Sequence, residues 1–304
     1  MRWRILGLVG GATAVAMAAL LPMYGGERDY TREVTRFRAA HEAKLRAEDG
    51  YLAVAGLFFL RDGDNAFGTD PGNDIVLPAG TAAAHAGRFH VRDRQVRVHI
   101  TDGVATLNGA PVQAGDMQPA TSEPPRPADL LRVGRLTLLV HRSGERTAIR
   151  LRDPENPVRT GFPGLRWYKV DPRYRVVGRL TRWPSPRPME IVNILGDTLL
   201  LPNPGLVEFV LGGRRFEMAP VQEPDGRLWF IFTDATAGKT TYKASRFLYT
   251  DPPRDGVVIL DFNKAYSPPC AYNPYTTCPL PPAANRLTVP IEAGEMAYAG
   301  ARGH

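Results

Sequence analysis

Short alternating segments separated by turn residues most restrict the folds open to this chain of 304 residues. Gln95–Ile100 alternates apolar and polar side chains, as a half-buried strand does. Val104–Leu107 is followed by Asn108-Gly109 and then by Pro111-Val112, and an Asn-Gly pair between such runs is a strong signal for a β-hairpin. Gly212-Gly213 divides a second pair of runs in the same way. The pattern predicts a mainly β protein.

Further short segments of this kind continue toward the end of the chain, divided by Gly, Pro and Asp. They are Leu136–Val140, Thr147–Leu151, Tyr174–Leu180, Leu206–Leu211, Arg214–Met218, Leu228–Phe232, Arg246–Thr250 and Val257–Phe262. Many short strands with frequent turns are typical of a sandwich or a barrel. We therefore predict two β-sandwich-like or barrel-like modules.

One α-helix is predicted before the strands, from about Tyr30 to Glu48. Thr31 is placed to cap its first turn, and Asp49-Gly50 is placed to end it. The side chains on one face recur at helical period, and they are Val34, Phe37, Ala40, His41, Lys44 and Leu45.

A boundary between the two modules is predicted where Pro, Asp and Asn interrupt the strand pattern, at Arg152–Pro157. The proline-rich loop Met117–Pro127 is an alternative boundary, and a single continuous sheet system is an alternative to two modules. The predicted order is a leader or anchor (1–24), a helical lead-in (25–50), an N-terminal β-sandwich module (51–151), a C-terminal β module (152–295) and a tail (296–304).

The first residues predict export from the cytoplasm. Arg2 and Arg4 precede the apolar run Ile5–Leu21, and Ala16-Met17-Ala18 offers a small-x-small cleavage site. If the run is not cleaved, its length is at the short limit for a membrane span and would tether the protein to the membrane. A cleaved leader and an uncleaved anchor both place the protein outside the cytoplasm. A buried N-terminal helix is a third alternative for these residues.

The formal net charge of +7 does not indicate nucleic-acid binding, because the basic residues are spread along the chain and form no stripe. We predict no nucleic-acid partner, and membrane association only through the N-terminal segment. The six histidines include no pair spaced three or four apart. We therefore predict no metal site and no cofactor.

The only two cysteines, Cys270 and Cys278, are flanked by prolines. In an exported protein a disulfide is the expected state of such a pair. The bridge would close a short ring and stabilise the fold by about 2.5 kcal/mol in the chain-entropy account. A zinc site and a catalytic thiol are the alternatives.

The N-terminal half carries a series of turn motifs at Phe67–Pro71, Asn73–Pro78 and Leu107–Gly109, with His85 between the last two. This order resembles a forkhead-associated sandwich. Thr69 stands where that family has its phosphate-gripping Arg, and three alanines, Ala82–Ala84, replace its Ser. The resemblance therefore implies the sandwich framework without phosphopeptide binding, which needs charge-assisted donors, and a structural role for the histidine.

Charged, amide and aromatic side chains collect in the C-terminal half at the ends of predicted strands and beside the proline-rich loop. The candidate ligand-binding residues are Tyr242, Arg246, Asp261, Asn263, Tyr266 and Arg286. Asp234, Asp261 and Glu295 are the candidate catalytic carboxylates. The motifs of serine hydrolases, zinc proteases and nucleotide-binding loops do not occur in the chain.

The same region carries the motifs of a known family. Leu260–Cys270 reads LDFNKAYSPPC, Cys278–Pro282 reads CPLPP, and Asn285–Leu287 and Ala293–Glu295 follow. On these motifs the chain is identified as a member of the bacterial and archaeal family of domain-of-unknown-function proteins numbered 1684. The resemblance runs from about residue 51 to residue 295 and implies no particular activity.

Three functions follow from these residues. The first is an exported protein that binds a small polar ligand, such as a sugar, a peptide or an organic anion, in the C-terminal module. The second is a carboxylate-based hydrolase. The third is an envelope structural protein in which the proline-rich loop covers a sheet edge.

Overall fold

Strand makes up 44% and helix 14% of the computed structural model, which describes residues 26–122 and 124–298. The predicted mainly β fold is confirmed. The predicted leader, 1–24, lies outside these residues. Within the two described ranges, no helix is long and apolar enough to cross a membrane.

The helix α1 (Glu27–Arg46) begins before the predicted start, and Thr31 lies inside it rather than at its cap. Glu27 and Asp29 occupy the first turn, where carboxylates favour the positive end of the helix dipole. The other helical segments are short: α2 (Pro157–Thr160) and single 3₁₀ turns at Tyr51–Ala53, Pro172–Tyr174, Phe262–Lys264, Pro269–Ala271 and Ala283–Asn285.

The first half of the chain forms two sheets whose neighbouring strands are mostly antiparallel. One has the order β1-β13-β12-β11-β6-β7 and the other β3-β2-β4-β5-β8, with β9 and β10 as a separate pair. The strands are β1 (Val54–Phe59), β2 (Gly63–Gly68), β3 (Ile75–Val76), β4 (Gly87–Arg92), β5 (Gln95–Ile100), β6 (Ala105–Leu107), β7 (Ala110–Pro111), β8 (Ala114–Met117), β9 (Thr121–Ser122), β10 (Pro125–Arg126), β11 (Leu131–Val133), β12 (Leu136–Ser143) and β13 (Arg146–Arg152).

Alternation along these strands builds the first core. In β4 the odd-numbered residues Phe89 and Val91 are buried, while Arg88 and His90 are exposed. Apolar residues of both sheets form one buried cluster around Phe67 and Phe89. The predicted hairpin is present, since Asn108 and Gly109 both have positive φ and join β6 to β7.

The second half forms a sheet of order β16-β15-β14-β20 and a smaller one of order β17-β18-β19. The strands are β14 (Arg175–Val192), β15 (Thr198–Leu211), β16 (Arg214–Met218), β17 (Val221–Gln222), β18 (Leu228–Phe232), β19 (Arg246–Thr250) and β20 (Val257–Asp261). The hairpin predicted at Gly212-Gly213 joins β15 to β16. A second buried cluster lies between these sheets around Phe230, Phe232 and Phe262.

Polar contacts join the two halves. Asp197, in the turn between β14 and β15, accepts hydrogen bonds from Ser143 at 2.5 Å and Arg146 at 2.6 Å in the first half. Asn273 donates to the backbone oxygen of Tyr51 at 2.7 Å. These contacts bring β12, β13, the end of α1 and the cysteine loop together around one opening.

Candidate functional site

A cleft of about 610 Å³ lies where the two halves and the end of α1 meet. We call it the central cleft. Its walls come from four separate parts of the chain and include His41, Lys44, Asp49, Tyr51, His141, Arg150, Trp229, Phe247, Tyr249, Tyr266, Ser267, Thr277 and Cys278. A concave site lined by aromatic side chains with a few polar groups is typical of small-molecule binding.

The aromatic wall of the cleft follows from strand alternation. Along β18 the even-numbered residues, such as Phe230, enter the second core, so that Trp229 faces the other way. Trp229 pairs with Tyr249 across the ladder, and their rings stack at 5.8 Å between centroids. Phe247 lies perpendicular to Trp229 at 5.0 Å, and Tyr266 lies beyond it at 6.1 Å.

A histidine and an arginine from neighbouring strands enter the cleft from the first half. His141 on β12 and Arg150 on β13 lie opposite the face that carries Val140 and Ile149 into the first core. Arg150 Nη2 lies 3.2 Å from His141 Nε2, and Thr277 Oγ1 lies 3.1 Å from the same nitrogen. Because a guanidinium only donates, His141 Nε2 accepts and the ring carries its proton on Nδ1.

Burial governs the charges of this pair. Burial, with the positive charge of Arg150 added, lowers the pKa of His141 to about 4, so that the ring is neutral at neutral pH. Burial also lowers the pKa of Arg150. Throughout the described ranges, no carboxylate forms an ion pair with Arg150.

A second polar group reaches the cleft from α1 and the C-terminal segment. His41 packs against Tyr266 at 4.3 Å between ring centroids, and its Nε2 lies 3.7 Å from Glu295 Oε2. Glu295 is fully buried, and its two oxygens accept hydrogen bonds from the Ser267 backbone N–H at 3.0 Å and the Tyr272 hydroxyl at 2.6 Å. Burial raises the pKa of Tyr272 well above its ordinary value.

Several buried polar atoms of the cleft have no hydrogen-bond partner. Eight buried side-chain nitrogens and oxygens of the described residues are unpartnered, and four of them belong to residues that line this one cleft. The four are His41 Nε2, Arg150 Nε, Trp229 Nε1 and Ser267 Oγ. Each such group costs about 1–3 kcal/mol when nothing satisfies it, so their concentration marks the cleft as a place for an external partner.

The two cysteines lie side by side as free thiols at the edge of the cleft. The Cys270 N–H donates to Cys278 Sγ at 3.1 Å, and the Cys278 N–H donates to Cys270 Sγ at 3.2 Å. Donation from Cys278 and Thr276 lowers the pKa of the Cys270 thiol to about 7, whereas burial raises that of Cys278. The disulfide stays a prediction. Among the described residues, no group of three His, Cys, Asp or Glu side chains is arranged to hold a metal ion.

The predicted residue Arg246 lies outside the cleft and is fully paired through its terminal nitrogens. Its Nη2 lies 2.5 Å from Asp234 Oδ2, and both side chains are 1% exposed. The same guanidinium donates to the backbone oxygens of Ile291 and Ala293. The other oxygen of Asp234 accepts from Thr236 and from the Ile291 N–H. This ion pair fastens the C-terminal segment to β19.

Asp261 and Asn263 lie against the start of α1, away from the cleft walls. The Tyr30 hydroxyl donates to Asp261 Oδ1 at 2.8 Å, and Asn263 Nδ2 donates to the Tyr30 oxygen at 3.0 Å. Asn263 also exchanges two hydrogen bonds with the backbone of Asp171. Burial raises the pKa of Asp261. These contacts attach the helix to the end of β20.

The remaining candidates are divided between surface, core and cleft. Arg286 is exposed. Tyr242 packs with the cluster around Phe162, and burial raises its pKa to about 12. Of the six predicted ligand-binding residues only Tyr266 lines the cleft, and Glu295 lies directly behind His41. The predicted ligand-binding residues therefore do not converge on one cavity.

Sequence reasoning did not single out most of the residues that do line the cleft. The sequence does contain one indication of these residues: polar side chains occupy positions where the helix or strand pattern predicts apolar ones. His41 and Lys44 stand on the apolar face of α1, and Arg150 stands in a strand whose neighbours are buried. Each position alone also suits an ordinary solvent-facing residue, and only the fold brings them together.

The fold and the cleft define a mainly β protein with a candidate ligand site between its halves. The chain belongs to the family of proteins of unknown function DUF1684, whose model matches residues 160–296. It is 32% identical to an uncharacterised protein from gene locus rrnAC0354 of Haloarcula marismortui, solved by NMR. That match covers 49% of this chain and 83% of the other, with a TM-score of 0.41.

Part of the chain is also similar to solved forkhead-associated domains. The FhaA FHA domain in complex with the intracellular domain of Rv3910 is 18% identical, over 32% of this chain and 97% of that one, with a TM-score of 0.23. A domain studied for phosphothreonine-dependent FHA interactions is 19% identical, over 32% and 92%, with a TM-score of 0.22. No curated protein matches the chain.

Proposed function

We propose that this protein is an exported binding protein for a small polar ligand and that the ligand occupies the central cleft. The observation that carries the proposal is the set of four unpartnered buried polar atoms on one aromatic-walled cavity. The binding function expected from the sequence is kept, and its location moves from the Arg246 region to the cleft. Export is supported by the pattern of the first residues.

The chemistry of the walls indicates how a ligand is held. Trp229, Tyr249 and Tyr266 offer flat faces that cover an apolar or ring-shaped body. Arg150 and Trp229 supply unpartnered N–H donors, and the Ser267 hydroxyl can donate or accept. The ligand therefore needs hydrogen-bond acceptors at the positions that these groups reach. Lys44 and Asp49, both exposed, lie on the same cleft.

A thermal-shift screen of the purified mature protein tests the proposal, with sugars, short peptides and organic acids as the probes. A ligand that binds the folded state at a hundred times its Kd stabilises it by about 2.7 kcal/mol, which raises the unfolding temperature by several degrees. Trp229→Phe removes one donor and keeps an aromatic wall, so it should weaken binding. Arg286→Ala, on an exposed side chain, is the control.

A shift that is lost in Trp229→Phe and kept in Arg286→Ala supports the cleft as the site. A shift that survives Trp229→Phe and disappears in Arg286→Ala would place the ligand elsewhere. No shift across the three classes of probe would instead favour the envelope structural protein.

A carboxylate-based hydrolase is the second candidate, and the contact between His41 and Glu295 favours it. A buried carboxylate 3.7 Å from a histidine on the cleft wall can hold the imidazole in one orientation. His41 would then take a proton from a water that attacks the bound ligand. Glu295→Gln should remove turnover of a hydrolysable ligand while leaving its binding detectable. Binding with no turnover in the unaltered protein would reject the enzyme.

Export has its own test. We propose that residues 1–24 direct the chain out of the cytoplasm, either by cleavage after Ala18 or as an uncleaved anchor. Fractionation of cells that express the full chain, followed by mass analysis of its N-terminus, distinguishes the two. Recovery of intact protein in the cytoplasmic fraction alone would reject both.

A further inference from the structure

One charged group of the central cleft is left without an opposite charge. Arg150 carries a guanidinium that is always protonated at neutral pH, and its side chain is largely withdrawn from water. Its one hydrogen bond from Nη2 goes to the neutral ring of His141, at 3.2 Å, and its Nε has no partner. Buried charges in proteins are normally paired, because transfer of an unpaired ion out of water is costly.

The contrast with Arg246 shows what pairing looks like in the same protein. Arg246 is 1% exposed and has a carboxylate, Asp234, at 2.5 Å. Arg150 has no such partner in the described ranges, and the groups that act on its charge are Tyr51, Arg152 and the two cysteines. Of these, Arg152 is itself positive.

The charges around the cleft favour a negative ligand. Arg150 and Lys44 are basic residues on its walls, and Asp49 is the carboxylate on them, exposed at the end of α1. Glu295 lies behind His41 and is occupied by Ser267 and Tyr272. An anion at the Arg150 end therefore meets an unpaired guanidinium and no carboxylate on the adjoining wall of β12 and β13.

The aromatic wall limits the rest of the ligand. Trp229, Phe247, Tyr249 and Tyr266 form a continuous series of ring contacts beside the polar group. Such a wall covers a flat apolar body. A small inorganic ion in the same place would lose water contacts, and the aromatic rings would give it no hydrogen bonds in return.

We infer that the ligand of the central cleft is an organic anion, whose carboxylate or phosphate group pairs with Arg150 while its flat body packs on Trp229, Phe247 and Tyr266. This inference rests on the proposed binding function and narrows it to one ligand class. The anionic group accepts a hydrogen bond from Arg150 Nε. It competes with no carboxylate of the protein, because none pairs with Arg150 in the described ranges. The binding is non-covalent and uses the neutral form of His141 as a fixed acceptor beside the guanidinium.

The test compares matched pairs of probes that differ in charge. Benzoate and indole-3-acetate are measured by isothermal titration against benzamide and indole-3-acetamide, which keep the rings, and phenyl phosphate distinguishes a phosphate ligand from a carboxylate. Each anion should bind about tenfold or more tightly than its amide, because a charge-assisted hydrogen bond is about twice as strong as a neutral one. This comparison uses the unaltered protein and needs no variant to fold.

Variants of the two neighbouring arginines sharpen the result. Arg150→Gln should reduce the preference for anions to about the level of the amides. Arg152→Gln is the matched control, since it stands two residues along the same strand, has an unpartnered Nε and does not line the cleft. It should leave the preference unchanged.

Different results would overturn the anionic-ligand inference and the proposed binding function. Equal affinity for anions and amides, or tighter binding of the amides or of neutral sugars, would overturn the anionic ligand and leave the binding function standing. An anion preference that Arg150→Gln keeps and Arg152→Gln removes would also overturn the inference. Absence of binding by every probe, including the sugars and peptides of the wider screen, would overturn the binding function itself.

Discussion

The regions around Arg246 and Arg150 contain the same kind of residues and use them in opposite ways. Around Arg246 a buried guanidinium meets a buried carboxylate, and both oxygens of Asp234 are occupied. Around Arg150 the guanidinium meets a neutral histidine, and one of its nitrogens is left unpartnered. The Nε of Arg246 also has no hydrogen-bond partner, so the two regions differ in charge pairing: Arg246 has a buried carboxylate beside it, and Arg150 has none in the described ranges.

The difference shows why polar residue types alone do not identify a site. Arg246 and Asp234 satisfy one another and attach the C-terminal segment to β19, so their chemistry is used in stabilising the fold. The donors Arg150 Nε and Trp229 Nε1 of the central cleft are held in place by packing but have no acceptor among the described residues. Unsatisfied groups held by a rigid framework are what a binding site requires, and they carry a cost in stability that a fastening pair does not.

Breaking the Arg246 pair is expected to have the largest effect. Arg246→Ala leaves Asp234 buried without its partner, which lowers the free energy of unfolding by about 3–5 kcal/mol. Urea unfolding followed by circular dichroism measures this. Arg286→Ala, on an exposed arginine, should change stability by less than about 0.5 kcal/mol. Similar small losses in both variants would mean that the buried pair is not the fastening proposed here.

Oxidation of the cysteine pair ranks second. A bond between Cys270 and Cys278 closes a short ring, and the oxidised protein should be about 2.5 kcal/mol more stable than the reduced one. Intact mass without reductant, compared with mass after reduction and alkylation, gives the fraction oxidised in protein from the exported fraction. The double variant Cys270→Ser, Cys278→Ser should unfold alike with and without reductant. Two free thiols in the exported protein would refute the disulfide.

Acid should weaken the protein through His141. Its pKa is about 4 in the folded protein and about 6.5 when unfolded, so the unfolded state binds more protons as the pH falls through this window. The contribution of His141 to the free energy of unfolding is fully present above pH 6.5, and about 2 kcal/mol of it is lost between pH 7 and pH 5. Burial is the main cause, Arg150 adds to it, and Asp197 opposes it.

Urea unfolding at the two pH values isolates this residue when it is repeated with His141→Gln, whose amide can still accept from Arg150. The loss between pH 7 and pH 5 should be smaller in the variant by about 2 kcal/mol. An equal loss in both proteins would show that other groups cause the acid sensitivity.

Local patterns were enough to predict much of the fold. The segments Leu228–Phe232 and Arg246–Thr250 are strands with the predicted bounds, because apolar and aromatic residues fill them and turn residues bound them. The Asn108-Gly109 turn was recognisable because both residues tolerate positive φ. Strand β14 extends well past the predicted segment, since it pairs with β15 beyond the register shift at Arg182.

The cleft could not be derived from those patterns. It joins the end of α1, two strands of the first half and the cysteine loop, and its lining residues His41 and Pro279 are 238 residues apart in the sequence. The predicted candidates are polar residues near the proline-rich loop, and burial pairs Arg246 with Asp234 and Asn263 with Asp261 rather than directing them into the cleft. Tyr266 lines the cleft because it follows Asn263 and Lys264 out of the turn after β20 and pairs with Phe247.

The most direct measurement of the central claim combines the stability and the ligand affinity of one variant, Ser267→Ala. The Ser267 hydroxyl has no partner in the fold, whereas its backbone N–H holds Glu295 and is kept in the variant. We predict that the free energy of unfolding without ligand stays the same or rises by up to about 1 kcal/mol, while affinity for the probe found in the screen falls about fivefold. A loss of more than about 1 kcal/mol in stability with unchanged affinity would contradict the account, because the hydroxyl would then serve the fold rather than a ligand.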